Sequence, residues 1–123
     1  MIFKDSKPIY RQIIDYGFAR ILNRQWLPEQ KIPSVRELSV ELGVNTHTVL
    51  KAFEYLQNHN IIYPRRGMGF YLSADAPALV DETRRQEFFE ETLADVYSEM
   101  KMLGISPEEV LETLRSMADS DPT

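Results

Sequence analysis

Gly43 to Leu56 reads GVNTHTVLKAFEYL. Its second half places Val49, Ala52, Phe53 and Leu56 at helical spacing, so one side of a helix faces a core. Its first half is small and polar, with Asn45 or Thr46 as the helix cap. On a wheel of about 100° per residue, His47, Lys51 and Glu54 fall opposite the apolar set, with Thr48, Leu50 and Tyr55 on the flanks. The helix is anchored along one side and offers Asn, Thr, His and Thr at its N-terminal end.

The neighbours decide what such a helix is for. Upstream, Ser34 stands three residues before Glu37, a capping-box spacing, and Val35, Leu38 and Leu42 give the inner face of a helix that Gly43 ends. Further upstream, Ile9, Tyr10, Ile13, Ile14, Gly17, Phe18, Ile21 and Leu22 recur in pairs every three to four positions behind Pro8, which predicts an amphipathic first helix. Downstream, Ile61 to Tyr63 reads as a short strand, PRRGMG as a turn, and Phe70 to Leu72 as the returning strand. Three helices followed by a hairpin predict a winged helix-turn-helix over residues 1–76.

Residues 73–78 read as a linker, and residues 77–123 as a short two-helix tail. Phe89, Leu93, Val96, Met100 and Leu103 form a 4, 3, 4, 3 seam on a long helix that Gly104 breaks. Ser106, Pro107 and Glu109 restart a helix lined by Val110, Leu111, Leu114 and Met117. Two helices of this size cannot enclose their own apolar faces, so they need the first domain or a second copy of themselves. The expected dimer interface is Phe89, Leu93, Val96, Met100, Leu103, Leu111 and Leu114. The fold class is mainly α with a small β-hairpin.

Composition sharpens the division. The 123 residues carry a net charge of -5, but residues 1–76 hold +3 and residues 77–123 hold -8. A mildly basic half followed by an acidic one directs a polyanion to one end of the chain and away from the other. There is no cysteine, hence neither a disulfide framework nor a thiolate metal site. No apolar run of membrane-spanning length and no cleavable leader is found, so the expectation is a cytoplasmic protein with no membrane partner.

Catalysis finds little support. His47 and His59 are the only histidines and join no metal-ligand constellation with Asp or Glu, so neither a metal nor a cofactor is expected. Glu90 and Glu91 read as a solvated helix face. DNA binding fits better, because the second helix of a helix-turn-helix enters the major groove with its N-terminal residues toward the base edges. Arg36, two residues past its cap, has the geometry to fork onto a phosphate or a guanine edge; a surface ion pair with Glu37 or Glu41 is the alternative. Arg65 and Arg66 precede Gly67-Met68-Gly69, a turn able to press on a sugar-phosphate edge or to serve as a plain hairpin loop.

PEQKIPSVRELSVELGVNTHTVLKAFEYLQNHNIIYPRRGMGFYL, with PIYRQI before it, resembles the DNA-binding domain of the GntR family of bacterial transcription regulators over residues 8–72. The short tail resembles that of the YtrA-like subfamily and implies dimerisation rather than a large effector domain. The resemblance implies a homodimeric, sequence-specific regulator, a repressor on a pseudo-palindromic double-stranded operator and associated with the nucleoid when bound. It assigns no small-molecule effector. By motif position, Arg36 matches the DNA-contacting arginine of the SxREL block, Asn45 to Thr48 the recognition-helix start, and Arg66, Gly67 and Gly69 the wing. With Ser34, Lys51 and Arg65 these make up the candidate DNA-binding set. The chain departs from the pattern at Glu29 and Asn60, where glycines are usual, and at Thr46, His47 and Met68, where basic residues are common. A winged-helix protein-interaction module without specific DNA binding is the rival reading.

Overall fold

The computed structural model describes residues 7–123; the first six residues of the expected winged domain lie outside the described residues. In chain order the elements are α1 (Ile9–Leu22), α2 (Val35–Leu42), α3 (Thr46–Asn58), β1 (Ile62–Arg65), β2 (Gly69–Leu72), α4 (Ala76–Glu87), a π-helical segment (Phe88–Thr92), α5 (Leu93–Leu103) and α6 (Pro107–Ser120).

The first helix occupies the span its periodicity predicts, with Ile13, Ile14, Phe18 and Ile21 buried and Pro8 at its cap position. Gly17 admits the Trp26 ring, which would lie 3.4 Å from an added Cβ. Against this face α3 sets Val49, Ala52, Phe53 and Leu56, each at most 1% exposed. Leu38, Ile32, Ile61, Ile62 and Leu72 close the same core, and Phe53 meets Phe70 edge-on at 5.2 Å. Strands β1 and β2 pair antiparallel, from Ile62 opposite Leu72 to Arg65 opposite Gly69.

Two features differ from the sequence expectation. Residues 29–32 run beside the outer edge of β2: Leu72 N donates to Gln30 O at 3.0 Å, Ile32 N to Phe70 O at 3.0 Å, and Lys31 bridges Tyr71. The sheet thus gains a third rung of backbone that no alternating run announces. The expected linker over residues 73–78 instead becomes helical at Ala76, because Ala76 and Val80 are wholly buried in the winged core. The compact units accordingly divide between Arg84 and Arg85 rather than at residue 76.

The second unit, residues 85–123, is organised differently. Helix α6 begins as expected, with Ser106 Oγ accepting from Glu109 N at 3.2 Å and Pro107 in the first turn. The expected seam does not lie on one uninterrupted α-helix, because Phe89 belongs to the π-helical segment. Phe89, Leu93, Val96, Met100, Leu111 and Leu114 line an open apolar concavity of about 420 Å³. Leu103 does not join them and is 65% exposed.

Candidate nucleic-acid interface

The site is built on two helix starts and a hairpin tip. At α2, Ser34 Oγ accepts from Glu37 N at 3.0 Å, and Ser34 N donates to the Glu37 carboxylate at 3.2 Å. This reciprocal pair satisfies two donors that a helix start leaves open. Hydrogen bonds to that carboxylate from the Ser34 backbone and then from its hydroxyl, joined by the nearby positive charge of Lys31, hold the Glu37 carboxyl below its ordinary range. The other acid near Arg36 is also engaged: Glu41 accepts from Tyr16 Oη at 3.1 Å and faces the Arg20 guanidinium at 3.7 Å. Arg36 is exposed, and among the described residues it has no ion-pair partner, so the surface-pair alternative is not realised.

The turn from α2 to α3 is fixed from both sides. Gly43 takes the left-handed conformation, with φ of 66°, and the Ser39 hydroxyl donates to Val44 O. Asn45 caps α3, its side chain accepting from His47 N at 2.8 Å. Thr46 and His47 are exposed and Thr48 is half-buried beside Val49, so the polar end stands clear while the next turn is held in the core. Lys51 points out of the core too, but its ammonium rests 4.1 Å from the centre of the Tyr10 ring.

The hairpin tip carries the remaining candidates. Gly67 and Gly69 have φ of 74° and 101°, conformations that side chains rarely adopt, and Met68 N donates to Arg65 O at 2.9 Å to close the turn. The Arg65 guanidinium lies over the Tyr71 ring at 4.2 Å and 5.9 Å from that of Tyr63. Arg66 is exposed, with no hydrogen bond or ion pair among the described residues.

Arg36, the α3 start and Arg66 thus provide exposed donors, and Lys51 and Arg65 provide cations steadied on tyrosines. Sequence reading missed Lys31, whose side chain passes beside Gly69: a Cβ there would come 3.2 Å from Lys31 Cε. Its only signal was one cation between Gln30 and the buried Ile32. His59 plays a local part, with Nδ1 2.9 Å from Tyr55 O and the ring stacked on Tyr55 at 4.1 Å. Among the described residues, no three His, Asp or Glu side chains gather to hold a metal, and no helix is long and apolar enough to cross a membrane.

Comparison with known proteins identifies the family. Residues 9–72 match the family model for bacterial regulatory proteins, gntR family. The chain is 35% identical to the HTH-type transcriptional regulator YhcF of Bacillus subtilis, over 95% of both chains. It is 31% identical to the HTH-type transcriptional repressor YtrA of the same organism, over 94% of this chain and 88% of the relative. Among solved structures, a transcriptional regulator of the GntR family from Bacteroides thetaiotaomicron superposes with a TM-score of 0.71 at 35% identity, covering 91% of this chain and 97% of the other. The DNA-binding domain of AraR in complex with operator ORX1 matches 58% of this chain and 93% of its own length, at 30% identity and a TM-score of 0.55.

Proposed function

The chain belongs to the GntR family of bacterial transcription regulators, and from that premise we propose that it acts in the cytoplasm as a homodimeric repressor on a pseudo-palindromic operator. The observation that carries this reading is Arg36, exposed and unpaired among the described residues while Glu37 and Glu41 are engaged elsewhere. An arginine left without a carboxylate at the first turn of α2 is poised to fork onto a phosphate or a guanine edge. The capped, polar start of α3 supplies the groove-facing end and the Arg66 turn the flanking contact. The operator complex of AraR supports DNA as the partner, and the repressor YtrA, matched along nearly its whole length, supports the sign of regulation.

Pairing falls to the tail. Of the large apolar side chains in residues 85–123, Met100 alone is buried among the described residues, and a concavity lined by Phe89, Leu93, Val96, Met100, Leu111 and Leu114 stays open. A second copy offers a matching surface, and a two-fold dimer presents two recognition helices to two inverted half-sites.

Selection of bound duplexes from a random-sequence pool by the purified chain tests the proposal. Enrichment of two inverted half-sites is expected; absence of any enriched sequence would favour the protein-interaction module. On the selected operator, Arg36→Ala should cost about 1–3 kcal/mol if the contact is a fork onto a base, and undiminished affinity would remove Arg36 from the contact set.

A further inference from the structure

We infer that Lys31 is a further DNA-contacting residue, one whose ammonium holds a backbone phosphate between the first turn of α2 and the hairpin tip, without reading sequence. This rests on the DNA-binding function proposed above and adds a residue that the family motifs quoted for the chain do not assign to DNA.

Three observations place the charge. The backbone at Lys31 is held in register against β2 by the bridge to Tyr71 and by the hydrogen bonds of Gln30 O and Ile32 N on either side. Ile32 is 2% exposed, so with the alternation of an extended segment Lys31 points away from the core, and it is exposed. The side chain then runs along the hairpin at Gly69: a Cβ there would lie 3.2 Å from Lys31 Cε and 3.9 Å from Nζ. Gly69 pairs with Arg65, so the ammonium arrives at the hairpin rung that carries Arg65. On its other side it bears on Glu37, whose carboxyl it helps hold ionised one residue from Arg36. Among the described residues it forms no ion pair.

An ammonium held there bridges two DNA-facing elements with a positive point charge, suited to a phosphate oxygen and unsuited to telling one base from another. Glu37 complicates the picture, since a carboxylate near a phosphate repels it. Lys31 has two possible effects: gripping the phosphate directly, or merely offsetting Glu37. Lys31 grips the phosphate directly.

The test uses the full chain, the selected operator and a random-sequence duplex, with affinity measured across a salt titration for wild type, K31M, K31R, E37Q and the double variant K31M/E37Q. Glutamine keeps the capping box, so E37Q removes the charge without opening α2. A lost phosphate contact lowers the slope of log affinity against log salt by about 0.9, so over a fourfold rise in salt K31M should lose about 3.5-fold less affinity than wild type. The same reduction is expected when K31M is added to E37Q, K31R should keep the wild-type slope, and the ratio of operator to random-duplex affinity should stay constant. An unchanged slope in K31M, a reduction that vanishes in the E37Q background, or a fall in that ratio would overturn the inference. Equal melting temperatures would assign the change to the contact, and K31Q replaces K31M if the apolar side chain lowers solubility. Failure of the wild-type chain to bind either duplex would overturn the DNA-binding function itself, whereas binding with unaltered variant slopes overturns the Lys31 assignment alone.

Discussion

The two units of this chain use apolar residues in opposite ways. The winged unit buries nearly everything large that its helices and strands point inward: Phe18, Phe53, Leu56, Ile61 and Leu72 are at most 1% exposed. The tail has a similar apolar supply and keeps most of it outside, with Phe89 at 65%, Leu111 at 50% and Met117 at 62%. Burial supplies most of the free energy of folding, so the first unit holds the larger share of it and the second leaves apolar surface open.

Substitutions break or sharpen that contrast. The largest effect is expected in the winged core, where Phe53→Ala removes a ring packed on Phe70 and should cost about 3–5 kcal/mol in a denaturant titration. Leu111→Ala should act differently. At concentrations where the chain is a monomer it should barely change stability, while where tails pair it should weaken the dimer by about 1.5–3 kcal/mol, the value of burying one leucine, read by analytical ultracentrifugation. A core-like loss in the dilute monomer would erase the distinction between the units.

Three smaller changes act on the winged unit. Ser34→Ala opens the α2 cap and should lower stability by about 1 kcal/mol. The cap is also pH-dependent: the Glu37 carboxyl is depressed by its bonds to Ser34, so its contribution is complete above the ordinary carboxylate pKa and is lost as pH falls through the lowered value. Wild type should therefore lose its lead over E37Q on acidification, measured by thermal melts from neutral to acid pH. The smallest effect has the opposite sign. Glu29 holds φ of 64°, a conformation costly for a residue with a Cβ, so Glu29→Gly should stabilise by about 0.5–1 kcal/mol in the same melts.

What the sequence revealed follows the same division. Helix α1, the Ser34 capping box, the start of α3 at Asn45 or Thr46 and the Gly67–Gly69 turn were legible because each depends on local chemistry within a few residues. Glu29 and Asn60 stood out as departures from glycine, and both adopt positive φ. Less legible were features decided at a distance. Residues 29–32 are held at the sheet edge only through hydrogen bonds to β2, and 73–78 look like a linker until Ala76 and Val80 find the core. The π-helical turn at Phe88–Thr92 interrupts a seam whose spacing read as continuous. For the candidate site, the positions of Arg36 and the wing were readable, whereas the freedom of Arg36 depends on Tyr16 and Arg20 engaging Glu41 from another helix. The course of the Lys31 side chain was not legible, because it depends on the missing Cβ of Gly69 across the sheet.

The tyrosines beneath Lys51 and Arg65 have a consequence for the cost of association. A long cationic side chain carries about 2 kcal/mol of rotamer entropy, part of which is surrendered when it clasps a phosphate. With Lys51 resting on Tyr10 and Arg65 on Tyr71, much of that freedom is given up during folding rather than during the encounter with DNA. On the proposed DNA-binding role of Lys51 and Arg65, Tyr10 and Tyr71 favour binding without touching the duplex, by narrowing in advance the orientations from which these two charges approach it.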